Sequence, residues 1–329
     1  MSTRSVIKAA LSVDVGGSLT AYLPDPLAKE VIQHIRELNI LRRLLKTFKM
    51  ASRAWTKPKR LNGIAAYYIP DGVTATLTGM SATTVKWTAK KLMSYVMVDE
   101  EAVEDSQPNV IAQVMEEFQD AIAEAEEYAF SAGETSHTAT APTPTSATTA
   151  NWYVRDARLM FDGIFTVADT ADAADSVDAG GGTVDVDYFN VALYNLGKYA
   201  RNRANIIGLA PPDQAANLRM DSNFKDASIS GQALASFITG LGAAGEKNAV
   251  VAIIYGIPIY EMPLAPEGEI CLMHKSSPEV GDRRLIKLRN DEVIESDQRK
   301  YVVSERIAFN FNWRDALVLI KDLSTTVSA

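Results

Sequence analysis

The segment VIAQVMEEFQDAIAEAEEYAF, residues 110–130, gives the clearest structural signal in this sequence. Its apolar side chains recur at alternating steps of three and four residues, which is the spacing of one face of an α-helix. The residues of this apolar seam are Ile111, Met115, Phe118, Ile122, Ala125 and Ala129. Pro108 suits the first turn of a helix, and Gly133 suits the position just past its end. The pattern therefore predicts a helix over residues 108–132, about 37 Å long at 1.5 Å per residue.

The region around this helix is strongly acidic. Residues 99–134 hold twelve Asp and Glu and no Lys or Arg. The first sixty residues are basic instead, with twelve Lys and Arg against four Asp and Glu, a net charge of +8. Opposite charges on two segments favour a contact between them, within one chain or between two copies. Two separately solvated faces explain the pattern equally well.

Upstream of the long helix, the pattern changes from helical to extended. PDPLAKEVIQHIRELNILRRLL, residues 24–45, predicts a first helix that follows an N-cap aspartate. Residues 55–90 contain Thr-rich segments around the turn signal PDG, residues 70–72, and predict a β-ribbon. A two-stranded ribbon has little core of its own, so we expect it to lie on another surface, such as a second subunit.

Downstream of the long helix, the sequence predicts loops and then a mixed region. Residues 135–151 are of low complexity and predict an exposed loop. Residues 187–325 alternate between helical and strand patterns, which indicates an α+β fold. With 329 residues, 47% of them hydrophobic and 22% charged, the chain is typical of a globular protein with one large domain or two ordinary ones.

The chain offers few residues for catalysis or metal binding. Its three histidines are His34, His137 and His274, and no zinc-type cluster or serine nucleophile elbow is present. GLGAAG, residues 240–245, lacks the preceding strand and following helix that a dinucleotide-binding fingerprint needs. A Ser/His/Asp triad assembled in space stays open, because sequence alone does not exclude one. We expect no enzyme activity, no cofactor and no bound metal.

Charge and cysteine content limit which partners and which cellular compartment fit this chain. The net charge of −8 argues against general affinity for nucleic acids, although it leaves room for a local basic face. Cys271 is the only cysteine, so no intrachain disulfide forms, which fits a reducing compartment. No uncharged run predicts a membrane span, and no membrane partner is expected.

Five short motifs, in a fixed order, carry a resemblance to a known family. They are KLMSYVMVDEEAVEDS before the long helix, AFSAGE at its end, FDGIF after the next loop, YGIPIYEMPLAP in the mixed region and RIAFNFNWRDALVLI near the C-terminus. Together with a basic arm and a Thr-rich ribbon, this order resembles the major capsid proteins of tailed bacteriophages, which have the Hong Kong ninety-seven fold. The resemblance spans about residues 24–323.

The resemblance implies an α+β, Hong Kong ninety-seven-type fold with four parts. These are an N-terminal arm, an extended β-ribbon loop over a neighbouring subunit, a peripheral domain with a long spine helix, and an axial domain around the five- and six-fold axes. The implied ranges are 1–54 for the arm and its helix, 55–90 for the extended loop, 91–186 and 299–329 for the peripheral domain with spine helix 108–132, and 187–298 for the axial domain.

The resemblance also implies a function. It predicts a major capsid protein that self-assembles as pentamers and hexamers into the icosahedral head of a tailed phage, enclosing double-stranded DNA without sequence specificity. The expected location is the virion, after assembly in the host cytoplasm, and the expected partners are identical copies, scaffold and portal proteins. Family-like sequence begins almost at Met1, so we expect a separate scaffold protein or none. No crosslinking lysine is assigned among Lys57, Lys59 and Lys86.

In such a shell the two oppositely charged segments would meet between neighbours. We expect the acidic side of the long helix to dock on a neighbour's basic arm or loop. The expected contact residues are Arg42, Arg43, Arg53, Trp55, Lys57, Lys59, Arg60, Glu116, Glu117, Asp120, Glu124 and Glu127. Each exposed ion pair contributes only about 0–1 kcal/mol, but a shell repeats the contact many times.

Two alternatives stay open from the sequence. An encapsulin-like nanocompartment shares the fold but encloses enzymes instead of DNA. A soluble α+β enzyme would form a small oligomer, and it would need catalytic motifs that the sequence does not display.

Overall fold

The computed structural model describes residues 40–74, 76–101, 110–135, 161–170, 173–220 and 250–326. Three expectations therefore lie outside the described residues: most of the arm helix, nearly all of the loop 135–151, and the segment GLGAAG. The described residues fall into two compact units. The smaller unit contains residues 91–101, 110–126 and 284–307, and the larger unit contains the others.

The elements of the described residues are numbered in chain order. The strands are β1 (Lys46–Lys49), β2 (Ala54–Asn62), β3 (Ser81–Thr88), β4 (Lys90–Asp99), β5 (Val177–Asp178), β6 (Ile206–Ala210), β7 (Val250–Ile254), β8 (Ile257–Glu261), β9 (Ile270–His274), β10 (Pro278–Val293), β11 (Gln298–Phe311) and β12 (Leu317–Lys321). The α-helices are α1 (Leu41–Leu44), α2 (Val110–Ala132), α3 (Ile164–Ala168), α4 (Val186–Leu196) and α5 (Pro212–Met220). Short 3₁₀ turns cover Gly197–Arg201, Arg203–Asn205 and Arg314–Ala316.

The larger unit is built on a six-stranded mixed sheet with strand order β5-β12-β9-β6-β8-β7. Strand β9 is antiparallel to both β6 and β12, while β6 is parallel to β8 and β12 is parallel to β5. The central strands β6, β9 and β12 have the sequences IIGLA, ICLMH and LVLIK and are almost wholly buried. Continuous apolar runs of this kind are typical of strands that are covered on both faces.

Helix α4 packs its apolar side into the core of this sheet. Asp185 caps the helix by accepting a hydrogen bond from the amide of Asp187 at 3.3 Å. The buried residues of the helix are Phe189, Ala192, Leu193 and Leu196, all in the core cluster of the sheet. Gly197 ends the helix with a φ of 51°, a conformation that glycine adopts without steric strain. The helix boundaries therefore follow from local sequence.

The predicted β-ribbon is present. Strands β2 and β3 pair in antiparallel register, with Trp55 opposite Trp87, and the segment between them turns at Gly72, where φ is 81°. A backbone hydrogen bond from Val73 to the Pro70 carbonyl closes this turn at 3.3 Å. The turn signal in the sequence thus marks a turn in the structure, as expected for a glycine in the left-handed region.

The smaller unit packs helix α2 against strands β4 and β11. Its core cluster consists of Val98, Phe118, Ile122, Tyr301 and Val303. Ile111 and Met115 of the helix pack against this cluster as well. The apolar seam predicted from the sequence is confirmed for these four helical residues. Burying a side chain such as Phe118 or Ile122 stabilises the fold by about 1.5–3 kcal/mol.

The long helix and the ribbon match their predicted positions, whereas strand pairing adds information that the sequence does not contain. The predicted helix 108–132 is observed as α2, and residues 102–109 lie outside the described part. Strand β12 pairs with β5 and β9, although residues 299–329 were assigned from the resemblance to the peripheral domain. The division into peripheral and axial domains stays a prediction.

None of the described helices is both long enough and apolar enough to span a membrane.

Candidate functional site

The base of the ribbon is held by a buried carboxylate and a lysine. Lys57 of β2 forms an ion pair with Glu279 of β10, whose side chain is only 5% exposed. The Lys57 ammonium also lies over two aromatic rings, 4.3 Å from the centroid of Phe48 and 4.7 Å from that of Trp87. Lys46 approaches the other Glu279 oxygen at 3.4 Å. We call Phe48, Lys57, Trp87 and Glu279 the ribbon base.

The register of β1 explains why these groups meet. β1 pairs in parallel with β10, with Lys46 opposite Glu279 and Phe48 opposite Gly281. A methyl group on Gly281 would lie 2.7 Å from the sulfur of Met50 and 3.1 Å from Cζ of Phe48. Glycine therefore lets the side chains of Phe48 and Met50 lie directly on the β10 backbone. Met50, Trp87, Ala89 and Ala308 form the apolar cluster beneath.

These contacts stabilise the ribbon base. Removing a carboxylate from water costs several kcal/mol unless a charge or hydrogen-bond donor compensates it. Lys57 supplies that compensation, and a cation over an aromatic face adds about 0.5–2 kcal/mol. The ribbon is consequently fixed at its base to strand β10.

The other end of the ribbon is uncovered in the single chain. Between β2 and β3, the described residues include large apolar side chains that are exposed to solvent, among them Ile64, Tyr67, Tyr68, Val73 and Leu77. Leu77 is 97% exposed and Ile64 is 71% exposed. We call residues 63–80 the ribbon tip. Large exposed apolar side chains concentrated in one segment favour a site of interaction with another macromolecule.

The acidic residues of helix α2 do not form one exposed face, contrary to expectation. Glu116 is exposed and Glu117 and Asp120 are half-buried, but Glu124 and Glu127 are buried. Glu127 is 1% exposed, and its Oε2 accepts hydrogen bonds from the amides of Ile40, at 3.1 Å, and Leu41, at 3.2 Å. The charge of Glu127 is thus compensated by backbone amides of the same chain.

Two of the predicted basic contact residues also have partners in the same chain. Arg42 donates to Asp282 at 2.7 Å, and Lys57 belongs to the ribbon base. Arg43, Arg53, Trp55 and Arg60 are exposed, and Lys59 is half-buried. For these residues, and for Glu116, Glu117 and Asp120, the inter-subunit contact stays a prediction.

Two carboxylates at the start of the acidic stretch have partners within the smaller unit. Arg299 donates from Nε to Glu100 Oε2 at 3.1 Å, and its Nη2 donates to the other oxygen, so the pair is bidentate. The Glu100 carboxylate raises the pKa of the Arg299 guanidinium above its usual value. Gln298 donates to Asp99 at 2.5 Å. These partners lie 199 residues away in the chain, so charge patterning could not identify them.

A family model and the solved structures place these features in a known context. The model of the phage capsid family matches residues 20–322, more than nine-tenths of the chain. The chain belongs to the phage capsid family. A search of the curated proteins found no match.

The fold of the capsid protein is shared with solved capsid structures at low sequence identity. It matches the capsid of a native GTA particle with a TM-score of 0.63 and 14% identity, covering 94% of this chain and 99% of that one. It matches the capsid of the cyanophage P-SCSP1u with a TM-score of 0.62 and 11% identity, covering 95% and 97%. A structure from Gordonia phage Cozz matches with a TM-score of 0.60 and 16% identity, covering 95% and 98%. The predicted fold class is confirmed.

Two motifs that carried the resemblance meet in the capsid protein. AFSAGE ends helix α2, and FDGIF begins α3. The amide of Gly163 donates to the Gly133 carbonyl at 2.7 Å, and Thr166 Oγ1 donates to the same oxygen at 2.8 Å. The amide of Thr135 donates to Asp162 at 2.9 Å. A methyl group on Gly163 would lie 2.6 Å from the Gly133 amide nitrogen, so the two backbones need glycine for this approach.

The residues weighed for catalysis do not form a reactive cluster within the described chain. His34 and His137 lie outside the described residues. Burial lowers the pKa of the His274 imidazole, whose Nδ1 accepts a hydrogen bond from the Ser276 amide at 3.3 Å. Cys271 is fully buried in β9, where burial raises the pKa of its thiol and the Glu269 carboxylate raises it further. No group of three His, Cys, Asp or Glu in the described segments is arranged to hold a metal ion.

Proposed function

We propose that this capsid protein is the major capsid protein of a tailed phage and self-assembles into an icosahedral head around double-stranded DNA. Membership of the phage capsid family and the fold shared with solved capsids support a shell subunit. One structural observation carries the proposal furthest. The ribbon has an anchored base and a tip with exposed Ile64, Tyr68 and Leu77, so the single chain leaves its own apolar surface uncovered.

A second copy of the chain is the occupant that best suits the ribbon tip. Repetition of the same contact around closed rings covers every tip in an assembly and leaves none exposed. The rings of the proposed head are pentamers and hexamers, assembled in the host cytoplasm with scaffold and portal proteins as further partners. The finished protein is a structural part of the virion and has no catalytic role.

The proposed DNA partner is contacted without sequence specificity. The whole chain carries a net charge of −8, so its general field repels nucleic acid. The absence of a strong average attraction suits a container that must release a polyanion, because many phosphate contacts would make binding tight and strongly dependent on salt.

Assembly of the purified protein tests the proposal. Expressed alone and with the gene next to it, the chain is expected to give capsomers or closed shells by size exclusion and negative-stain microscopy. A monodisperse small oligomer that never forms shells at high concentration, alone or with the neighbouring gene product, would contradict it. Particles that enclose a protein cargo and exclude DNA would favour a nanocompartment instead.

A further inference from the structure

Four chain connections meet at one edge of the six-stranded sheet. Strand register brings them together: Ile206 lies opposite His274, and Met273 lies opposite Leu317. The turn between β7 and β8 joins the same edge, because β8 starts beside the parallel strand β6. The connections are residues 197–205, 255–256, 275–277 and 312–316. A hydrogen bond from the Lys275 amide to the Asn205 carbonyl, at 2.8 Å, links two of them.

This edge is basic in an acidic protein. The four connections carry the five bases Lys198, Arg201, Arg203, Lys275 and Arg314 and one acid, Asp315, a net charge of +4 against −8 for the whole chain. We call these five bases and their connections the basic edge. Asp175 marks its outer end, since the neighbouring Ala174 donates to the Leu317 carbonyl at 3.0 Å.

The lone acid of the basic edge is occupied within the chain. Asp315 accepts a hydrogen bond from the Tyr199 hydroxyl at 2.8 Å, and Lys198 lies 3.5 Å from the same oxygen. Arg203 is held in place by Tyr255, because its guanidinium lies 5.6 Å from the ring centroid of Tyr255 and donates to the Tyr255 carbonyl at 3.3 Å.

Basic side chains of the basic edge are accessible to an external anion. Arg201 and Arg203 are exposed and Lys275 is partly exposed, and neither Arg201 nor Lys275 is in an ion pair within the described part of the chain. The exposed side chains of Asn202 and Ser276 add neutral hydrogen-bond donors between the bases. Phosphate contacts in protein–DNA complexes are made by these residue types and by backbone amides.

The dimensions of the basic edge suit a duplex. From β12 to β7 it spans five strands, which is about 19 Å at 4.8 Å between neighbours. Duplex DNA carries one negative charge per 1.7 Å of its axis, or about eleven phosphates over that length. Several phosphates can therefore face the basic edge at once, while its modest charge keeps each contact weak and reversible.

We propose that the basic edge is the surface of the capsid protein that contacts packaged double-stranded DNA, through its phosphates and without reading bases. The inference rests on the proposed function, which supplies the DNA. It reconciles an acidic shell protein with a polyanionic cargo, because the basic edge supplies a local attraction within a chain whose net charge is −8.

The test uses unassembled full-length protein and a fluorescent DNA duplex of about twenty base pairs, with binding followed by anisotropy over a range of salt concentrations. Arg201→Gln with Lys275→Gln removes two charges that no ion pair within the described residues uses, so folding should persist, as circular dichroism would check. The slope of log affinity against log salt is expected to fall by about 1.8, since each lost phosphate contact contributes about 0.9.

The matched control is Lys287→Gln with Arg289→Gln, two exposed bases of β10 outside the basic edge. It is expected to bind DNA like the unmodified protein. An unchanged slope in the Arg201/Lys275 variant, or an equal loss in the control, overturns the inference. DNA binding that persists while shells no longer form would make the basic edge a contact between copies, which also overturns the inference.

Microscopy of the unmodified protein tests the proposed function separately, because shells either form or do not form whatever the DNA result.

Discussion

Gly133 and Gly163 show how single residues determine the course of this chain. Their backbones lie in direct contact where helix α2 ends and α3 begins, joined by a hydrogen bond of 2.7 Å. At Gly163 the φ is −75° and the ψ is 174°, values that alanine also adopts. Glycine is therefore required there by the space available and not by backbone conformation.

Gly163→Ala is expected to destabilise the capsid protein by about 3 kcal/mol, because the added methyl meets backbone atoms that cannot move aside as a flexible side chain could. The measurement is the free energy of unfolding in urea. The control is Gly63→Ala in the ribbon tip, where an added methyl has no neighbour within 4 Å. Equal stabilities of the two variants would show that the close approach does not matter.

Glu269 is predicted to make stability depend on pH. Burial raises the pKa of its carboxyl, Asp169 raises it further, and Lys321 opposes both effects. The folded chain therefore holds this proton more tightly than the unfolded chain, so the destabilising effect of ionisation is complete above the folded-state pKa and disappears as pH falls below the unfolded value. Glu269→Gln is expected to raise the melting temperature at pH 8 by a few degrees and to give no advantage near pH 4.

Melting curves of both proteins between pH 4 and pH 8 would measure this difference. Glu267→Gln, at an exposed carboxylate two residues earlier, is the matched control and is expected to change nothing. A constant offset between Glu269→Gln and the unmodified protein at every pH would rule out titration of Glu269 as the cause.

At the residue scale, the sequence predicted apolar positions better than charged ones. Phe118 and Ile122 are buried as their spacing predicted, since periodicity reports which side of a helix faces the core. Glu127 is buried although it was expected on an exposed face of the helix. Glu279 is buried too, and no sequence pattern predicted its burial. Their partners are backbone amides at residues 40 and 41 and a lysine 222 residues away, and such long-range compensation is invisible in a local pattern.

At the scale of elements, the ribbon is held by side-chain contacts at its base. Strands β2 and β3 pair with each other in a two-stranded sheet, and such a sheet is only marginally stable by itself. The contacts of Lys57 with Glu279, Phe48 and Trp87 therefore add to the stability of the ribbon at its base.

Lys57→Met is expected to lower the free energy of unfolding by about 2–3 kcal/mol, because it leaves the Glu279 carboxylate buried with only Lys46 nearby. The loss falls below that of a fully buried pair, since the Lys57 side chain is 32% exposed. Urea unfolding measures the stability, and limited proteolysis is expected to cut residues 63–80 faster as the ribbon loosens.

A double-mutant cycle supplies the control for this element. Glu279→Gln removes the buried charge, so adding it to Lys57→Met is expected to recover part of the lost stability. If the two substitutions destabilise additively, the ion pair does not anchor the ribbon, and the aromatic cluster around Phe48 must hold it alone.

Elements were predictable where their signals are local. The length of α2 and the turn at Gly72 follow from periodicity and turn chemistry, and both are present. The position of β12 between β5 and β9 was not predictable, because strand sequences of Val, Leu and Ile identify a buried strand but do not name its neighbours.

At the scale of the whole molecule, the order of weak motifs was more informative than any one of them. The family model confirms the family, and solved structures of only 11–16% identity confirm the fold, a level at which single motifs carry little information. The contact residues between subunits could not be derived in the same way, because one chain contains only half of every interface.

The ribbon tip provides a test of assembly at this scale. Tyr68→Ser with Leu77→Ser removes two exposed apolar side chains from residues 63–80, so the monomer should remain folded. Each covered side chain is worth about 1.5 kcal/mol or more, so the protein concentration needed for assembly is expected to rise at least tenfold. Light scattering against concentration measures this threshold.

Tyr194→Ser serves as the matched control, because Tyr194 is 84% exposed on helix α4 and lies outside the ribbon. It is expected to leave the assembly threshold within about twofold of the unmodified protein. An unchanged threshold in the ribbon-tip variant would exclude the tip as a contact between copies.

The burial of Cys271 has a practical consequence. The native thiol lies inside a central strand with its ionisation suppressed, so thiol-directed dyes should leave the folded subunit unlabelled. A single Leu77→Cys substitution would then place the sole reactive thiol at an exposed position of the ribbon tip, without first replacing the natural cysteine. A fluorophore attached there would report in real time when one subunit binds the next.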